Sequence, residues 1–411
     1  MTGRLDPAAH AWMRAPAVRR VMAALNTEDA EAARYVGGCV RNTVMGRPVD
    51  DVDIATRLDP LDVSARLEAA GLKVVPTGID HGTVTAVADG APFEITTLRR
   101  DVETFGRRAV VAFTTDWSED AARRDFRLNA IYCAQDGSLF DPYDGVADAR
   151  AGRVIFIGDA RARIAEDHLR ILRFYRFNAW YGAGIDPAGQ AACSAMAETL
   201  KALSAERVWK ELKKLFSAPD PSGAVKAMQE GNVLKAVIPG PLDFRLLLSL
   251  INTDREMSRA PDPLLRLAAL AGRDEAAMTA LCTQMKASKA ENAKAAALCG
   301  PVNSVGASRI GPKASQRDLA KLAYAVGSQA ASGRVRLDEA QGLGDARDAL
   351  AFLDTFEPPT FPVKGRDLIA AGAPRGPQLG AMLAELERDW IESGFSLSRD
   401  ALVARALESG A

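Results

Sequence analysis

An apolar run at Tyr35-Val36 breaks at Gly37-Gly38. A helical pattern opens at once in Cys39-Val40-Arg41-Asn42, with Val40, Val44 and Met45 on one face. A second apolar run follows, Asp50-Asp51-Val52-Asp53-Ile54-Ala55-Thr56, and carries Asp51 and Asp53. No other stretch of the chain restricts the fold as tightly as this strand, glycine turn, helix and strand. Glycines at a strand-to-helix junction let backbone N–H groups come close to an anion, and a helix N-terminus adds partial positive charge. Residues two apart on a strand share a face, so Asp51 and Asp53 are expected side by side. Two like charges held together cost free energy unless a cation neutralises them. Mg²⁺ takes carboxylate oxygens together with substrate phosphates, and a metal pair suits in-line attack at phosphorus. An isolated Asp-x-Asp would as readily be a surface turn; the surrounding pattern is what gives this one weight.

The stretch resembles the signature of the nucleotidyltransferase superfamily in its class II branch, the CCA-adding tRNA nucleotidyltransferases and bacterial poly(A) polymerases. That signature reads Gly-Gly-x-Val-Arg-Asp and then Asp-x-Asp. Asn42 stands where the family usually has Asp. It keeps a hydrogen-bonding cap without the charge, so no catalytic role falls on it. By this resemblance Asp51 and Asp53 bind the metal, Mg²⁺, and Gly37, Gly38 and Arg41 hold a nucleoside triphosphate.

Two further blocks extend the match. In Arg123-Arg124-Asp125-Phe126-Arg127-Leu128-Asn129-Ala130, two arginines can hold phosphates and an aspartate can accept from a ribose hydroxyl. The block resembles the family's Arg-Arg-Asp-Phe-Thr-x-Asn-Ala motif, with Arg127 in place of Thr. The nucleotide-binding set thus gains Arg123, Arg124, Asp125 and Asn129. Glu166-Asp167-His168-Leu169-Arg170-Ile171-Leu172-Arg173-Phe174-Tyr175-Arg176-Phe177 reads as one helix, with Asp167, Arg170 and Arg173 on a shared face. On spacing alone this is an ordinary salt-bridged surface. The chemistry offers a sharper reading. Cytosine and adenine both present an amino donor beside a ring-nitrogen acceptor. A carboxylate and a guanidinium match that edge, whereas guanine and uracil would leave a charge unpaired. The block resembles the family's Glu-Asp-x-x-Arg motif, whose Asp and Arg read the base. The carry-over falls on Asp167 and Arg170, with Arg173 and Arg176 counted in the nucleotide-binding set. His168 sits where Pro is common.

The remaining segments fill in around these blocks. Residues 8–25 and 59–70 read as amphipathic helices. Residues 82–88 and 93–98 read as a hairpin turning at Asp89-Gly90-Ala91-Pro92, and Glu94 on it is a candidate third catalytic carboxylate. His81 is given a structural role. Residues 99–113 read as a charged loop, which in CCA-adding relatives is flexible and helps the switch from C to A addition. Asp141-Pro142-Tyr143-Asp144-Gly145 reads as a hinge. Ser204-Ala205-Glu206-Arg207 opens a helix resembling the family's last motif, a structural support. From about residue 220 the pattern is mainly helical. The tail beyond Gly365 resembles the C-terminal segment of many CCA-adding relatives.

The chain's 411 residues suffice for two to four domains, and 48% hydrophobic content can fill sizeable cores. No run is apolar enough to span a bilayer, and the first residues lack a signal-peptide pattern. Five scattered cysteines without Cys-x-x-Cys read as reduced, in a cytoplasmic protein. A formal net charge of −1 means that RNA binding would need local basic faces. No histidine lies after His168, which excludes a histidine-rich phosphohydrolase domain at the C-terminus.

The expected fold is an elongated α+β protein. A nucleotidyltransferase head (1–150), a small mixed sheet with helices, precedes an all-α neck (151–240), body (241–340) and tRNA-binding tail (341–411). The resemblance implies template-independent addition of C, C and A to a tRNA 3′ end from CTP and ATP. A bacterial poly(A) polymerase and a CC-only or A-only enzyme stay open, as does the oligomeric state. An inactive RNA-binding relative is disfavoured, because it would have little reason to keep both carboxylates and the base-reading pair.

Overall fold

The computed structural model describes residues 3–79, 82–105, 108–238, 240–302 and 311–409, with side chains at 77, 101–111 and 408–409 outside the description. His81 therefore lies outside the described residues. The chain divides into two compact units, Met1–Ile238 and Pro239–Ala411.

The first unit opens with α1 (Ala11–Arg14) and α2 (Pro16–Leu25), not the single helix expected over 8–25. Pro16 lacks an N–H and starts a new helix at its first turn. There follow β1 (Ala33–Val36), α3 (Gly38–Val44), β2 (Asp53–Thr56), α4 (Pro60–Ala69), β3 (Lys73–Gly78), β4 (Thr83–Ala88) and β5 (Ala91–Thr97). The Asp59 carboxylate caps α4 by accepting from the Leu61 and Asp62 N–H groups. The β4–β5 turn is tighter than expected. Asp89 and Gly90 both have positive φ, the geometry of a two-residue hairpin, so Ala91 and Pro92 belong to the strand.

Next come β6 (Arg99–Phe105) and β7 (Arg108–Phe113), antiparallel to each other where the sequence reads as a loop. The charges at Arg99-Arg100-Asp101 and Arg107-Arg108 hide the strand character of this stretch in the sequence. Then follow α5 (Trp117–Ala122), β8 (Tyr132–Cys133), β9 (Leu139–Phe140) and α6 (Gly145–Ala151). Seven strands form one sheet in the order β3-β4-β5-β2-β1-β8-β9, antiparallel except for the parallel β2–β5 pair, so it is the mixed sheet expected. Val36, Ala55, Leu98, Trp117, Ala121, Ala130, Tyr132 and Ile157 pack together as a core cluster in this region.

The rest of the first unit is helical: α7 (Ala160–Glu166), α8 (Arg170–Tyr181), α9 (Pro187–Ala195), α10 (Ala205–Phe216), α11 (Ser222–Glu230) and α12 (Val233–Val237). The expected continuous helix over Glu166–Phe177 is broken. Asp167 takes an extended backbone conformation (φ −149°, ψ 105°), and its carboxylate accepts from the Leu169 N–H at 3.1 Å, a local bond that competes with helix continuation. Gly145, in the expected hinge, has no room for a side chain: a Cβ there would meet the Arg127 carbonyl oxygen at 2.2 Å.

The second unit is entirely helical among the described residues: α13 (Phe244–Glu256), α14 (Pro263–Leu270), α15 (Glu275–Gln284), α16 (Lys289–Cys299), α17 (Gln316–Val326), α18 (Ser328–Ala340), α19 (Arg347–Thr355), α20 (Gly365–Ala370), α21 (Pro377–Glu392) and α22 (Arg399–Ser409). Asp243, Asp262, Asp274, Ser288 and Ser315 cap five of these helices. One cluster packs Leu319, Leu322, Val335 and Leu353, and another gathers Leu386, Trp390 and Leu402. No helix among the described residues is long and apolar enough to cross a membrane.

Candidate active site

The site grows from the end of β1. Val36 pairs with Asp53 at the start of β2, and Gly37 then turns the chain with φ +70° into α3. A Cβ on Gly37 would lie 3.9 Å from Arg124 Nη1 and 4.0 Å from Asp53 Oδ2, so the turn runs beside both charges. The parallel register sets Ile54 opposite Ile95, which brings Glu94 alongside Asp53. Glu94 is exposed, and so is Asp51, which precedes β2 instead of lying in it. The Asp53 carboxyl is held above its ordinary range, first by burial and then by Glu94; Asp51 pushes the same way, while Arg124 and Arg41 oppose. Among the described residues no three His, Cys, Asp or Glu side chains are grouped to hold one metal ion. Asp51 and Asp53 remain as a candidate pair of ligands, and the repulsion that Asp53 feels is the kind a cation relieves.

Beyond α5 the chain delivers Arg123 and Arg124, whose guanidiniums converge on Asp120. Its Oδ1 accepts from Arg123 Nε at 2.8 Å, and its Oδ2 accepts from Arg124 Nη2 at 3.0 Å and from the Tyr132 hydroxyl at 2.7 Å. Burial would push this carboxyl up, but the two arginines outweigh it and hold Asp120 down at about 2.

Asp125 is equally engaged. Its Oδ1 accepts from Asn129 Nδ2 at 2.9 Å and from the Phe126 N–H at 2.8 Å, and its Oδ2 accepts from Arg173 Nε at 2.7 Å. Despite its burial, Arg173 and Asn129 hold this carboxyl below the usual carboxylate range. Asn129 Oδ1 accepts from Arg41 Nη1 at 2.6 Å, and Arg41 Nη2 donates to the Tyr181 hydroxyl at 2.8 Å. A continuous chain of bonds thus joins Arg173, Asp125, Asn129, Arg41 and Tyr181. Burial lowers the Arg41 pKa. Asn42 helps to orient Arg41, its Oδ1 accepting from Arg41 Nη2 at 2.9 Å.

In the break between α7 and α8, Asp167 Oδ2 accepts from Arg207 Nη2 at 2.7 Å. Arg170 donates to the Glu166 carboxylate, to the Arg163 carbonyl at 2.9 Å and to the Arg123 carbonyl at 3.1 Å. Gly37, Gly38, Arg41, Asp53, Arg123, Arg124, Asp125, Asn129, Asp167, Arg170 and Arg173 line one cleft of about 440 Å³, together with Leu169, Phe177 and Arg207. Asp51, Glu94 and Arg176 are not in its lining. Arg176 instead pairs with the buried Glu211 at 2.6 Å and lies over the Phe177 ring. Arg127 faces Asp148, and His168 Nδ1 lies 3.0 Å from the Ile164 carbonyl oxygen. Sequence reasoning missed Asp120, Arg207 and Tyr181. The i, i+3, i+4 spacing of Asp120, Arg123 and Arg124 was a usable signal; the contacts of Arg207 and Tyr181 depend on tertiary packing.

Known proteins share this plan. The family described as "Poly A polymerase head domain" matches residues 33–155, and "Probable RNA and SrmB- binding site of polymerase A" matches residues 184–244. CCA tRNA nucleotidyltransferase 1, mitochondrial, of Mus musculus is 31% identical over 399 residues, covering 92% of this chain and 87% of that protein. The CCA-adding enzyme of Lacticaseibacillus paracasei is 30% identical over 362 residues, covering 87% of each. In fold, the chain is similar to the Bacillus stearothermophilus CCA-adding enzyme in complex with CTP (TM-score 0.75, 24% identity, 96% of this chain and 98% of that one). It is also similar to the Thermotoga maritima CCA-adding enzyme complexed with tRNA(CCA) (TM-score 0.63, 16% identity, 99% and 97%).

Proposed function

This chain belongs to the family of CCA-adding tRNA nucleotidyltransferases, and from that premise we propose how its cleft works. The enzyme adds C, C and A to the 3′ end of tRNA from CTP and ATP, without a nucleic-acid template and with release of pyrophosphate. Gly37, Gly38, Arg41, Arg123 and Arg124 hold the triphosphate. Asp125 and Asn129 meet the ribose, Asp125 being fixed by Arg173; Arg176 supports from behind through Glu211. Asp167 and Arg170 read the base. An ionised carboxylate offers about four acceptor sites and a guanidinium five donors. Asp167 has two of its acceptor sites engaged and Arg170 three of its donors, so each keeps capacity for a base edge. The primer's 3′-hydroxyl attacks the α-phosphate, and the pyrophosphate leaves against the arginines, which compensate its charge.

Asp51 and Asp53 would hold Mg²⁺, with Glu94 shaping the field beside them; when bound, the ion supplies a Lewis acid for phosphoryl oxygens. Burial of the Asp53 carboxylate beside the charges of Glu94 and Asp51 supports that assignment. We read residues 1–150 as head, 151–240 as neck, 241–340 as body and 341–411 as a tail that meets the tRNA. Five free cysteines fit a reducing compartment, and we place the enzyme in the cytoplasm.

The observation that carries this reading is the lining of one cleft by both the glycine turn with Asp53 and the Asp167/Arg170 pair. The test is extension of tRNA lacking its last three nucleotides, with Mg²⁺, CTP and ATP, followed by sequencing of the 3′ ends. Termination at CCA is expected; a long A tail, indifferent to the RNA offered, would make the enzyme a poly(A) polymerase. Asp167→Ala should admit GTP and UTP, and retained selectivity would remove Asp167 from base reading.

A further inference from the structure

Asp120 has no place in the roles given above, yet it is among the most heavily engaged carboxylates of the first unit. It is 1% exposed. Its Oδ1 accepts from Arg123 Nε at 2.8 Å and from the backbone N–H of Arg99 at 3.3 Å, and Arg123 Nη2 stands 2.6 Å away. Its Oδ2 accepts from Arg124 Nη2 at 3.0 Å, from Arg124 Nε at 3.3 Å and from the Tyr132 hydroxyl at 2.7 Å. The Tyr132 hydroxyl in turn accepts from Arg124 Nε at 3.0 Å. One carboxylate therefore engages the Nε–Nη2 edge of both arginines.

That leaves Nη1 of each guanidinium outside the cluster. For Arg124 its direction is fixed: Nη1 is the nearest heavy atom to where a Gly37 side chain would begin. Both arginines line the cleft. A long arginine side chain loses rotamer freedom when it binds an anion, and a guanidinium already held at one edge has less to lose. Holding the pair through one shared acceptor also fixes the spacing between them, which two independent surface arginines would not keep.

We propose that Asp120 is a positioning residue that sets Arg123 and Arg124 as a single preorganised clamp for the polyphosphate of the incoming nucleotide, with Tyr132 as its brace. The inference rests on the reading of the cleft as a nucleoside triphosphate site. The same carboxylate bonds the backbone at Arg99, and its neighbour Glu119 accepts from the Thr114 hydroxyl at 2.5 Å, so the two ends of the β6–β7 ribbon are rooted on the same helix as the clamp.

The test uses full-length Asp120→Asn and Tyr132→Phe enzymes, with inorganic tripolyphosphate as a probe that carries no base or sugar. In the wild type, tripolyphosphate should compete with CTP. Asp120→Asn should raise the KM for CTP and ATP by the same factor, about tenfold or more. It should raise the inhibition constant of tripolyphosphate by that factor too, while C-over-U discrimination stays unchanged. Tyr132→Phe keeps the ring and removes one hydroxyl, so it should move the same constants in the same direction by about two- to fivefold. In an Arg124→Lys background Asp120→Asn should cost much less than it does alone, because the clamp is already broken. A merely structural Asp120 would lower kcat and stability without raising the tripolyphosphate constant in step with the KM, and that result, or full additivity with Arg124→Lys, overturns the proposal. If Asp120→Asn fails to fold, Tyr132→Phe decides alone: unchanged tripolyphosphate affinity sinks the clamp. A wild type on which tripolyphosphate does not compete with CTP refutes the polyphosphate clamp, whereas a wild type that incorporates neither C nor A refutes the nucleotidyl-transfer reading on which it rests.

Discussion

Both units bury arginine–carboxylate pairs, but they place them differently. In the second unit Arg259 pairs with Glu339, Arg273 with Asp338 and Arg336 with Asp254, all with side chains at most 14% exposed. The cleft of the first unit is lined by six arginines and three aspartates, and from outside the lining Asp120 and Glu166 hold three of those arginines by one edge. A buried pair compensates part of its desolvation internally, provided its geometry is good. An excess of guanidiniums on a concave surface is costly until an anion arrives, and a nucleoside triphosphate carries charge of the right sign and size. The same residue types are placed differently in the two units, and what distinguishes the first is that six of its arginines line a single cleft.

The sharpest way to break the contrast is at Asp53, whose carboxyl is raised by burial and by neighbouring acids. A group with a raised folded-state pKa favours folding when protonated and loses that contribution as pH rises through the folded value. Asp53→Asn should therefore leave thermal stability at neutral pH unchanged or higher. It should nonetheless cut CCA addition by about a thousandfold or more if the carboxylate holds the ion. Melting curves beside single-turnover extension check both halves, and unchanged extension would remove Asp53 from catalysis.

A medium-sized effect compares Asp120 with Asp254, each 1% exposed. Asp120, held by two arginines and a tyrosine, titrates at about 2, below its ordinary value. Asp254 is shifted the other way, because burial outweighs Arg336, which bonds it, and the more distant charges of Arg266 and Arg259. A depressed carboxyl contributes stability above its unfolded pKa and loses it as pH falls through the folded value. Asp120→Asn should cost about 2 kcal/mol near neutral pH, and that cost should fade between about pH 4 and pH 2. Asp254→Asn should cost less near neutral pH, show no such fading in acid, and leave the KM for CTP where it was. Denaturant unfolding at a series of pH values measures both.

Much of this was legible in the sequence, for physical reasons. Glycine pairs, Asp-x-Asp and clustered arginines are local signals, and the cleft gathers Gly37, Gly38, Arg41, Asp53, Arg123, Arg124, Asp125, Asn129, Asp167, Arg170 and Arg173. Less legible were features set by competition. Asp167, Arg170 and Arg173 have helical spacing, but the Asp167 carboxylate accepts a nearby N–H and the helix breaks there. Arg176 has the same helical company as Arg173 but faces Glu211, thirty-five positions on, which periodicity within one helix cannot foresee. The ribbon of β6 and β7 escaped because the consecutive charges at Arg99-Arg100-Asp101 and Arg107-Arg108 read as a loop and outweigh the short apolar run at 109–113.

The smallest effect tests how finely the cleft is tuned, at Tyr181. This last residue of α8 accepts from Arg41 Nη2 at 2.8 Å, and the Arg41 guanidinium carbon lies 4.1 Å from the ring centroid. Tyr181→Phe keeps the ring contact and removes one acceptor from a buried guanidinium. Hydrogen bonds to charged groups contribute about 1.5–3 kcal/mol, but Asn42 and Asn129 still hold the other edges of Arg41, so a smaller loss of about 1 kcal/mol is expected. The KM for CTP and ATP should rise by about three- to tenfold, with kcat changed less than about twofold. Tyr324 of the second unit instead donates its hydroxyl to a carboxylate, Glu387. Tyr324→Phe should leave both nucleotide constants unmoved. Equal behaviour of the two variants would mean that Arg41 is placed by its two asparagines alone, and that the reach of α8 into the cleft ends before Tyr181.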